Sequence, residues 1–174
     1  NGLPSRRPFF GRDYLATSLA TQVEKSGRLI IQGPRGCGKT SLALEIAHLI
    51  GGRSDNRSSL AWIDLKNRES SAADLVDAVA IVMGLQAAAN AEPPVKMDML
   101  SHLVPSAGNW LLVVDNFESV PVSEREKALR LLDGFPGNIQ LLVTCAVELP
   151  FAHGMELRHI NEMLLPEMLQ VIQG

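Results

Sequence analysis

Cysteines, aromatic residues and long hydrophobic runs are scarce in this sequence of 174 residues. Its two cysteines, Cys37 and Cys145, are too few for a disulfide framework, so we expect a reducing, intracellular and cytoplasmic setting. The longest fully apolar run covers only residues 78–83, whereas a membrane-spanning helix needs about 20 apolar residues. The sequence therefore predicts no membrane span.

Neither sign of charge dominates the chain. The 16 basic residues stand against 19 acidic residues, which gives a net charge of −3 and no general electrostatic reason to bind nucleic acid or an anionic membrane. The length fits one domain with a sizeable core. No secretory signal pattern opens the chain. Its first residue is Asn1 rather than Met, so we expect an excised piece or a trimmed form of a larger protein.

Apolar segments of two kinds alternate along the chain. Continuous apolar runs predict strands over 28–32, 60–65, 109–116, 138–145 and 155–160. Apolar residues at helical spacing predict helices over 12–25, 39–50, 71–83 and 123–132, and a last helix from 166. Ser71 is a predicted N-cap, and Ser123 with Glu126 forms a predicted capping box. Strands that are apolar on both faces predict an α/β fold with a parallel sheet covered on both sides by helices.

A glycine-rich segment, "GPRGCGKT", joins the first predicted strand to the second predicted helix. Gly33, Gly38, Lys39 and Thr40 have the spacing of a phosphate-binding loop, in the strand–helix setting that this motif requires. Glycines permit positive φ and close backbone approach, so loop amides can point at one anion beside the positive end of the helix dipole. We predict that Lys39 contacts the β- and γ-phosphates, Thr40 coordinates Mg²⁺ and Ser41 contacts the α-phosphate. The alternative is an ordinary turn that caps a helix.

Polar side chains follow the third predicted strand, in "LLVVDNFESV". Asp115 ends this strand, and ligands of open parallel sheets bind beyond the carboxyl ends of strands, so Asp115 is predicted to hold Mg²⁺ directly or through water. A simple strand-end cap is the alternative. Many phosphate-loop ATPases carry a second acid next, whereas Asn116 can orient water but cannot take its proton. Glu118 either substitutes for that acid or is a solvated loop residue, and we expect slow hydrolysis.

Further stretches extend the pattern over nearly the whole chain: "PFFGRD" (8–13), "GPRGCGKTSLALEIA" (33–47), "LLVVDNFESV" (111–120) and "LLDGFPGNIQLLVTC" (131–145). In this order and spacing, the chain resembles the nucleotide-binding domain of the STAND family. These are signal-transduction ATPases related to AAA+ proteins, including NB-ARC and NACHT proteins, and the bacterial regulators look closest. The resemblance implies a three-layer P-loop NTPase fold with a five-stranded, mainly parallel sheet of ASCE-type order. In that order the "LLVT" strand lies between the phosphate-loop strand and the Asp115 strand.

The resemblance also implies domain limits, ligands and partners. Residues 1–174 would form one nucleotide-binding domain, with a lead-in and first helix over 1–27 and the core over 28–174. The ligands would be ATP or ADP with Mg²⁺, and nucleotide exchange would control conformation. The partners would be other domains of a larger protein, and further copies of the chain when ATP is bound. No direct contact of this chain with nucleic acid or membrane is expected.

The resemblance assigns roles to individual residues. Thr144 would face the γ-phosphate as a sensor, unless it is an ordinary strand threonine. Phe10, Gly11 and Arg12 would lie against adenine and ribose, unless Arg12 is a surface residue. The predicted catalytic residues are Lys39, Asp115, Asn116, Glu118 and Thr144, and the predicted metal ligands are Thr40 and Asp115. The predicted nucleotide-binding residues are Phe10, Gly11, Arg12, Gly33, Pro34, Arg35, Gly36, Cys37, Gly38, Lys39, Thr40 and Ser41.

The chain departs from the family pattern in three respects. Asn116 replaces the second acid, and Ala146 stands where an arginine commonly follows the sensor threonine. Lid and winged-helix domains are expected to be absent, which would leave the site more open. A non-hydrolysing nucleotide-binding or interaction module with structural ADP therefore stays open as an alternative. A GTPase is disfavoured because no N/T-K-x-D motif occurs, and a DNA-acting AAA+ protein is disfavoured by the acidic balance.

Overall fold

The computed structural model describes residues 3–5, 9–53, 59–66, 70–84, 95–96, 98–99 and 109–162. The helices are α1 (Asp13–Ser26), α2 (Lys39–Arg53), α3 (Ala72–Val82) and α4 (Val122–Asp133). The strands are β1 (Arg28–Gln32), β2 (Ser59–Asp64), β3 (Trp110–Asp115), β4 (Ile139–Cys145) and β5 (Glu156–His159). None of the helices in these ranges is long and apolar enough to cross a membrane. The helix predicted from residue 166 lies outside the described residues.

The five strands form one parallel sheet in the order β2-β3-β4-β1-β5. Strand β4 pairs with both β1 and β3, so that Gln32 lies opposite Cys145 and Val114 lies opposite Val143. The predicted place of β4 between the phosphate-loop strand and the Asp115 strand is therefore confirmed, as is the α/β class. Because all the strands run the same way, their carboxyl ends meet at one edge of the sheet, where ligands bind in folds of this kind.

Side chains alternate between the two faces of the sheet, and each face is covered by a pair of helices. In β1, Ile30 belongs to the core that includes α3 and α4, while Leu29 and Ile31 belong to the core that includes α1 and α2. All three side chains are fully buried. Burying an aliphatic side chain of this size contributes about 1.5–3 kcal/mol. The strands are apolar on both faces because the sheet is the middle of three layers, as predicted.

Helix α4 begins earlier than predicted and in a different way. Its N-cap is Pro121, and no described side chain donates or accepts a capping hydrogen bond there. The carbonyl oxygen of Pro121 accepts hydrogen bonds from the backbone amides of residues 124 and 125, at 2.9 and 3.1 Å. Ser123 already lies in the first turn, so the predicted capping box of Ser123 and Glu126 is wrong. By contrast, Ser71 caps α3 as predicted, with its hydroxyl accepting a backbone amide of the first turn.

Candidate functional site

The loop between β1 and α2 turns at glycines that are needed for different reasons. Gly36 and Gly38 adopt φ angles of 81° and 89°, a region that residues with side chains rarely enter. Gly33 is constrained by space instead, because a Cβ atom there would lie 2.1 Å from the carbonyl oxygen of Ile160. The loop conformation therefore requires glycine at all three positions, and one of these constraints comes from the segment after β5.

Lys39 begins α2, and its side chain folds back over the loop. Its Nζ donates hydrogen bonds to the carbonyl oxygens of Gly33 at 2.8 Å and Pro34 at 2.7 Å, and only 8% of the residue is exposed. The first backbone N–H groups of an α-helix have no partner within the helix, and the positive end of the helix dipole lies beside them. The loop thus brings a buried ammonium group and a helix N-terminus together, an arrangement suited to phosphate groups.

Asp115 ends β3, and its carboxylate is almost fully enclosed, with 1% of the residue exposed. Its Oδ1 accepts hydrogen bonds from the hydroxyl groups of Thr40, at 3.0 Å, and Thr144. These bonds join the N-terminus of α2 to the carboxyl ends of β3 and β4. Burial raises the pKa of Asp115, the hydrogen bonds from Thr144 and Thr40 oppose that rise, and the nearby charge of Asp64 adds to it.

Asn116 follows β3 in the left-handed conformation, with a φ of 61°, which asparagine tolerates better than most residues. Its backbone amide donates to Thr144 Oγ1 at 3.0 Å. Its side-chain Nδ2 donates to Asp64 Oδ1 at 2.7 Å and to Asp115 Oδ2 at 3.3 Å. Asp64 was not among the predicted site residues. The signal that could have pointed to it is a carboxylate near the end of a predicted strand, the same signal that pointed to Asp115.

Glu118 lies in one turn of 3₁₀-helix, Phe117–Ser119, after β3. Its Oε2 accepts a hydrogen bond from the backbone amide of Ala146 at 3.0 Å, and its carbonyl oxygen accepts one from Arg125 Nη2 at 2.9 Å. The carboxylate therefore ties the turn after β3 to the turn after β4. A carboxylate engaged in this way is less suited to activating water than one that is free to accept a proton.

Arg12 fastens the lead-in segment to the phosphate loop. Its guanidinium group donates hydrogen bonds to the carbonyl oxygens of Cys37 at 2.9 Å and Asn161 at 2.8 Å, and 6% of the residue is exposed. Arg12 is therefore buried and is not the surface residue that the sequence allowed. Phe10 is half-buried, and Gly11 has a φ of 83°. Contact of these three residues with adenine and ribose stays a prediction.

A cleft of about 500 Å³ opens at the carboxyl edge of the sheet. It is lined by Arg35, Gly36, Gly38, Lys39, Thr40, Lys66, Asn116, Glu118 and Ser119. All of these except Lys66 and Ser119 belong to the predicted set. The other predicted residues are not part of this lining. Pro34 and Ser41 are exposed, Phe10, Gly11 and Gly33 are half-buried, and Arg12, Cys37, Asp115 and Thr144 are buried. Basic side chains therefore reach the cleft from the phosphate loop and from the loop after β2, which suits an anionic ligand.

The hydroxyl group of Thr40 and the carboxylate of Asp115 fit one hard divalent cation. Their oxygen atoms lie 3.0 Å apart, between the start of α2 and the end of β3. Mg²⁺ prefers oxygen ligands, and in nucleotide sites one or two protein groups hold it together with phosphates. In the part of the chain that the structure describes, no group of three or more His, Cys, Asp or Glu residues is arranged to hold a metal ion. The residues present thus suit a cation shared with bound phosphates.

The model of a protein family described as novel STAND NTPase 1 (nSTAND1) matches residues 4–169. The chain belongs to this family. The predicted STAND membership is thereby confirmed, and the chain is a nucleotide-binding ATPase module. Among curated proteins no significant match is found.

Solved structures share the fold of this STAND module at low sequence identity. PCH-2 of C. elegans is 15% identical with a TM-score of 0.55, and the match covers 88% of this chain and 43% of PCH-2. Cdc6p from Pyrobaculum aerophilum is 15% identical with a TM-score of 0.59, and the match covers 83% of this chain and 41% of Cdc6p. A chain from the structure of Drosophila ORC bound to AT-rich DNA and Cdc6 is 13% identical with a TM-score of 0.59. The match covers 90% of this chain and 57% of that one. The STAND module thus spans roughly half the length of these proteins, and such identities show the fold alone.

Proposed function

We propose that this STAND module is an ATP- and ADP-binding switch domain of a signalling ATPase, with slow Mg²⁺-dependent hydrolysis and with nucleotide exchange controlling conformation. The observation that carries the proposal is the contact of the Thr40 and Thr144 hydroxyl groups with the carboxylate of Asp115. This contact joins the helix of the phosphate loop to the ends of β3 and β4. A ligand that moves Thr40 therefore changes the surroundings of Asp115 and, through it, of Thr144.

Phosphate binding is assigned to the loop and the first turn of α2. Lys39 is the cation for the β- and γ-phosphates, the amides at the start of α2 donate to phosphate oxygens, and Ser41 contacts the α-phosphate. A hydrogen bond to a charged group contributes about 1.5–3 kcal/mol. Because Lys39 Nζ lies on the carbonyl oxygens of Gly33 and Pro34, binding exchanges these contacts for phosphate contacts. That exchange is the local change by which the loop responds to nucleotide.

Thr40 and Asp115 would hold Mg²⁺, which neutralises charge on the β- and γ-phosphates when it is bound. The pKa of Asp115 supports this assignment, because burial raises it and an adjacent positive charge would keep the carboxylate ionised. Thr144 is assigned as the γ-phosphate sensor, acting through the carboxylate that it shares with Thr40. Preference for adenine is assigned to the lead-in residues 10–12.

Slow ATP hydrolysis is proposed because none of the side chains assigned to the γ-phosphate end of the cleft is well suited to take a proton from water. Asn116 cannot accept a proton, and the carboxylate of Glu118 already accepts the backbone amide of Ala146. Ala146 also lacks the cation that STAND proteins commonly place there. These same observations favour a second candidate function, a non-hydrolysing module in which bound ADP is structural.

Thermal unfolding tests nucleotide binding. The protein is measured with Mg²⁺ and ATP, ADP or GTP, and without nucleotide, beside Lys39→Ala and the control Lys127→Ala, whose side chain is 64% exposed on α4. A ligand at about a hundred times its Kd stabilises the folded state by about 2.7 kcal/mol. For a domain of this size the expected rise in Tm is about 5–10 °C. We expect that rise with adenine nucleotides in the wild type and in Lys127→Ala, and its loss in Lys39→Ala.

Release of inorganic phosphate from saturating MgATP separates the two candidate functions. Slow release that disappears in Lys39→Ala supports the ATPase switch. Binding without release supports the module with structural ADP. A protein that retains no nucleotide after purification and does not respond to added nucleotide contradicts both.

A further inference from the structure

Asp64 ends β2 beside Asp115, and none of the roles assigned above includes it. In the register of β2 and β3, Asp64 lies opposite Asp115. Its Oδ1 accepts hydrogen bonds from Asn116 Nδ2 at 2.7 Å and from the backbone amide of Lys66 at 2.8 Å. The bond to an amide two residues on is an Asx turn, which holds the carboxylate in place. Asp64 is exposed, and its carboxylate, which is hydrogen-bonded within this turn, contacts the side chain that occupies the position of the second acid.

Two carboxylates decide which way the amide of Asn116 faces. Its Nδ2 donates to Asp64 Oδ1 at 2.7 Å and to Asp115 Oδ2 at 3.3 Å. Ionised carboxylates only accept hydrogen bonds, so a reversed amide would place its oxygen against two acceptors. The amide oxygen therefore lies on the other branch of the group, away from both acids. Asn116 lines the cleft together with Lys39 and Thr40, where an amide oxygen can accept a hydrogen bond from water.

The backbone of Asn116 is held in place by other contacts, so the contacts with Asp64 and Asp115 concern only its side chain. Its backbone amide is held by Thr144 Oγ1 at 3.0 Å, and its φ of 61° places the residue in one narrow conformation. Glu118 Oε2 accepts the backbone amide of Ala146, and the described hydrogen bonds of the Asn116 side chain go to Asp64 and Asp115. The contact with Asp64 is the shorter of the two that fix the Asn116 side chain, so Asp64 has the larger part in its orientation.

Resting on the proposed ATPase function, we propose that Asp64 is a positioning residue for hydrolysis. It holds the Asn116 amide so that the amide oxygen accepts a hydrogen bond from the attacking water. The water oxygen bonds to the γ-phosphorus, and the bond from that phosphorus to the β–γ bridging oxygen breaks with its electron pair left on ADP. Both protons of the water leave on the inorganic phosphate, as dihydrogen phosphate, so no side chain has to accept one.

Steady-state kinetics on three site variants and one control test this inference. The variants are Asp64→Ala, Asp64→Asn and Asn116→Ala, and the control is Glu126→Ala, whose side chain is 50% exposed on α4. We expect Asp64→Ala and Asn116→Ala to lower kcat by about ten- to a hundredfold, the range for a reacting group misplaced by about 1 Å. KM for MgATP and Kd for ADP should not change. Asp64→Asn keeps an oxygen that accepts the bond from Asn116, so it should retain most of kcat.

Side-chain amide signals in NMR spectra give a readout that needs no ATP. The pair of signals from Asn116 is identified by its loss in Asn116→Ala. We expect this pair to shift more in Asp64→Ala than in Asp64→Asn, because only the alanine variant removes the acceptor. Signals that stay in place in both variants would overturn the contact on which the inference rests.

The kinetic outcomes separate this inference from the proposed function. Wild-type kcat in Asp64→Ala, with activity lost in Lys39→Ala, would overturn the role of Asp64 and leave the ATPase intact. Equal losses in Asp64→Ala and Asp64→Asn would also overturn it, because Asp64 would then act as the proton acceptor. Binding without turnover in the wild type would overturn the inference and leave nucleotide binding intact. A wild-type protein that binds no nucleotide would overturn the proposed function itself.

Discussion

Removing the hydroxyl group of Thr144 tests how the site is held together. In Thr144→Val the side chain keeps its shape but loses the group that donates to Asp115 and accepts the backbone amide of Asn116. Thr144 and Asp115 are each only 1% exposed, so water cannot easily replace the missing hydroxyl. The variant leaves a backbone N–H group without its acceptor and an enclosed carboxylate with one donor fewer.

Two terms give the magnitude of this destabilisation. A buried donor left without an acceptor costs about 1–3 kcal/mol, and a hydrogen bond to a charged group contributes about 1.5–3 kcal/mol. We therefore expect Thr144→Val to lower the free energy of unfolding by about 2.5–6 kcal/mol, which corresponds to a fall in Tm of about 5–24 °C for a domain of this size. Thr144→Ser is the matched control, because it keeps the hydroxyl group and loses only a methyl group, at a cost of about 1 kcal/mol.

The effect should also depend on pH with a definite sign. Burial raises the pKa of Asp115 above its unfolded value, so Asp115 stabilises the folded state at low pH and loses that contribution as the pH rises through the folded pKa. The hydrogen bond from Thr144 opposes the raised pKa by stabilising the ionised carboxylate. Its loss in Thr144→Val therefore matters more when Asp115 is ionised, and the gap to Thr144→Ser should widen as the pH rises.

Thermal and urea unfolding of the wild type, Thr144→Val and Thr144→Ser at about pH 5 and about pH 8 measure both effects. If the two variants unfold at the same temperature at both pH values, the hydroxyl contacts do not hold the site. If the gap between them narrows as the pH rises, the assignment of the Thr144 hydroxyl as a donor to ionised Asp115 is wrong.

Three further changes test other parts of the site. Gly33→Ala should lower the free energy of unfolding by about 1–3 kcal/mol, because the added Cβ atom would lie 2.1 Å from a carbonyl oxygen. Gly137→Ala is the control, since a Cβ atom there meets open space. Equal Tm values for the two variants would contradict this prediction. Arg12→Lys should cost about 1.5–3 kcal/mol in urea unfolding, because a compact ammonium group does not reproduce the planar bridge to two carbonyl oxygens, and wild-type stability would refute this. Ala146→Arg should raise the affinity for MgATP relative to MgADP in calorimetry, because the proposed sensor role of Thr144 would put the added cation near the γ-phosphate. An unchanged ratio of the two affinities would contradict that placement.

The phosphate loop could be predicted from the sequence because its constraints are local. Gly36 and Gly38 need positive φ, and Lys39 and Thr40 follow at once at the start of a helix. The strands could also be predicted locally, because a strand such as "WLLVVD", which is buried along almost its whole length, is a continuous apolar run in the sequence. The place of β4 inside the sheet was different, because periodicity carries no information on strand order. That prediction depended on the family resemblance, and the sheet order confirms it.

The sequence shows that Asp64 lies near the end of a predicted strand, but it does not show that Asp64 and Lys66 lie beside the residues that follow β3. They belong to the site because β2 lies beside β3, and the sequence separates Asp64 from Asn116 by 52 positions. The hydrogen bond between Arg12 and Asn161 spans 149 positions and likewise exists only in the folded chain. The wrong capping box has a local cause, because the Pro121 carbonyl oxygen starts α4 before Ser123 can cap it.

The segment after β5 contacts the phosphate loop directly, and this supports the switch function. The Ile160 carbonyl oxygen occupies the space beside Gly33, and the Asn161 carbonyl oxygen accepts the same Arg12 guanidinium that holds the Cys37 carbonyl oxygen. Residues 160–161 cannot move away without breaking the hydrogen bond between Arg12 and the Asn161 carbonyl oxygen or removing the Ile160 carbonyl oxygen from beside Gly33. Coupling between two sites is reciprocal, so a ligand that rearranges the loop acts on this segment through the same contacts. In the proposed switch, nucleotide exchange would therefore act on the end of β5 through the contacts of Arg12 and Gly33.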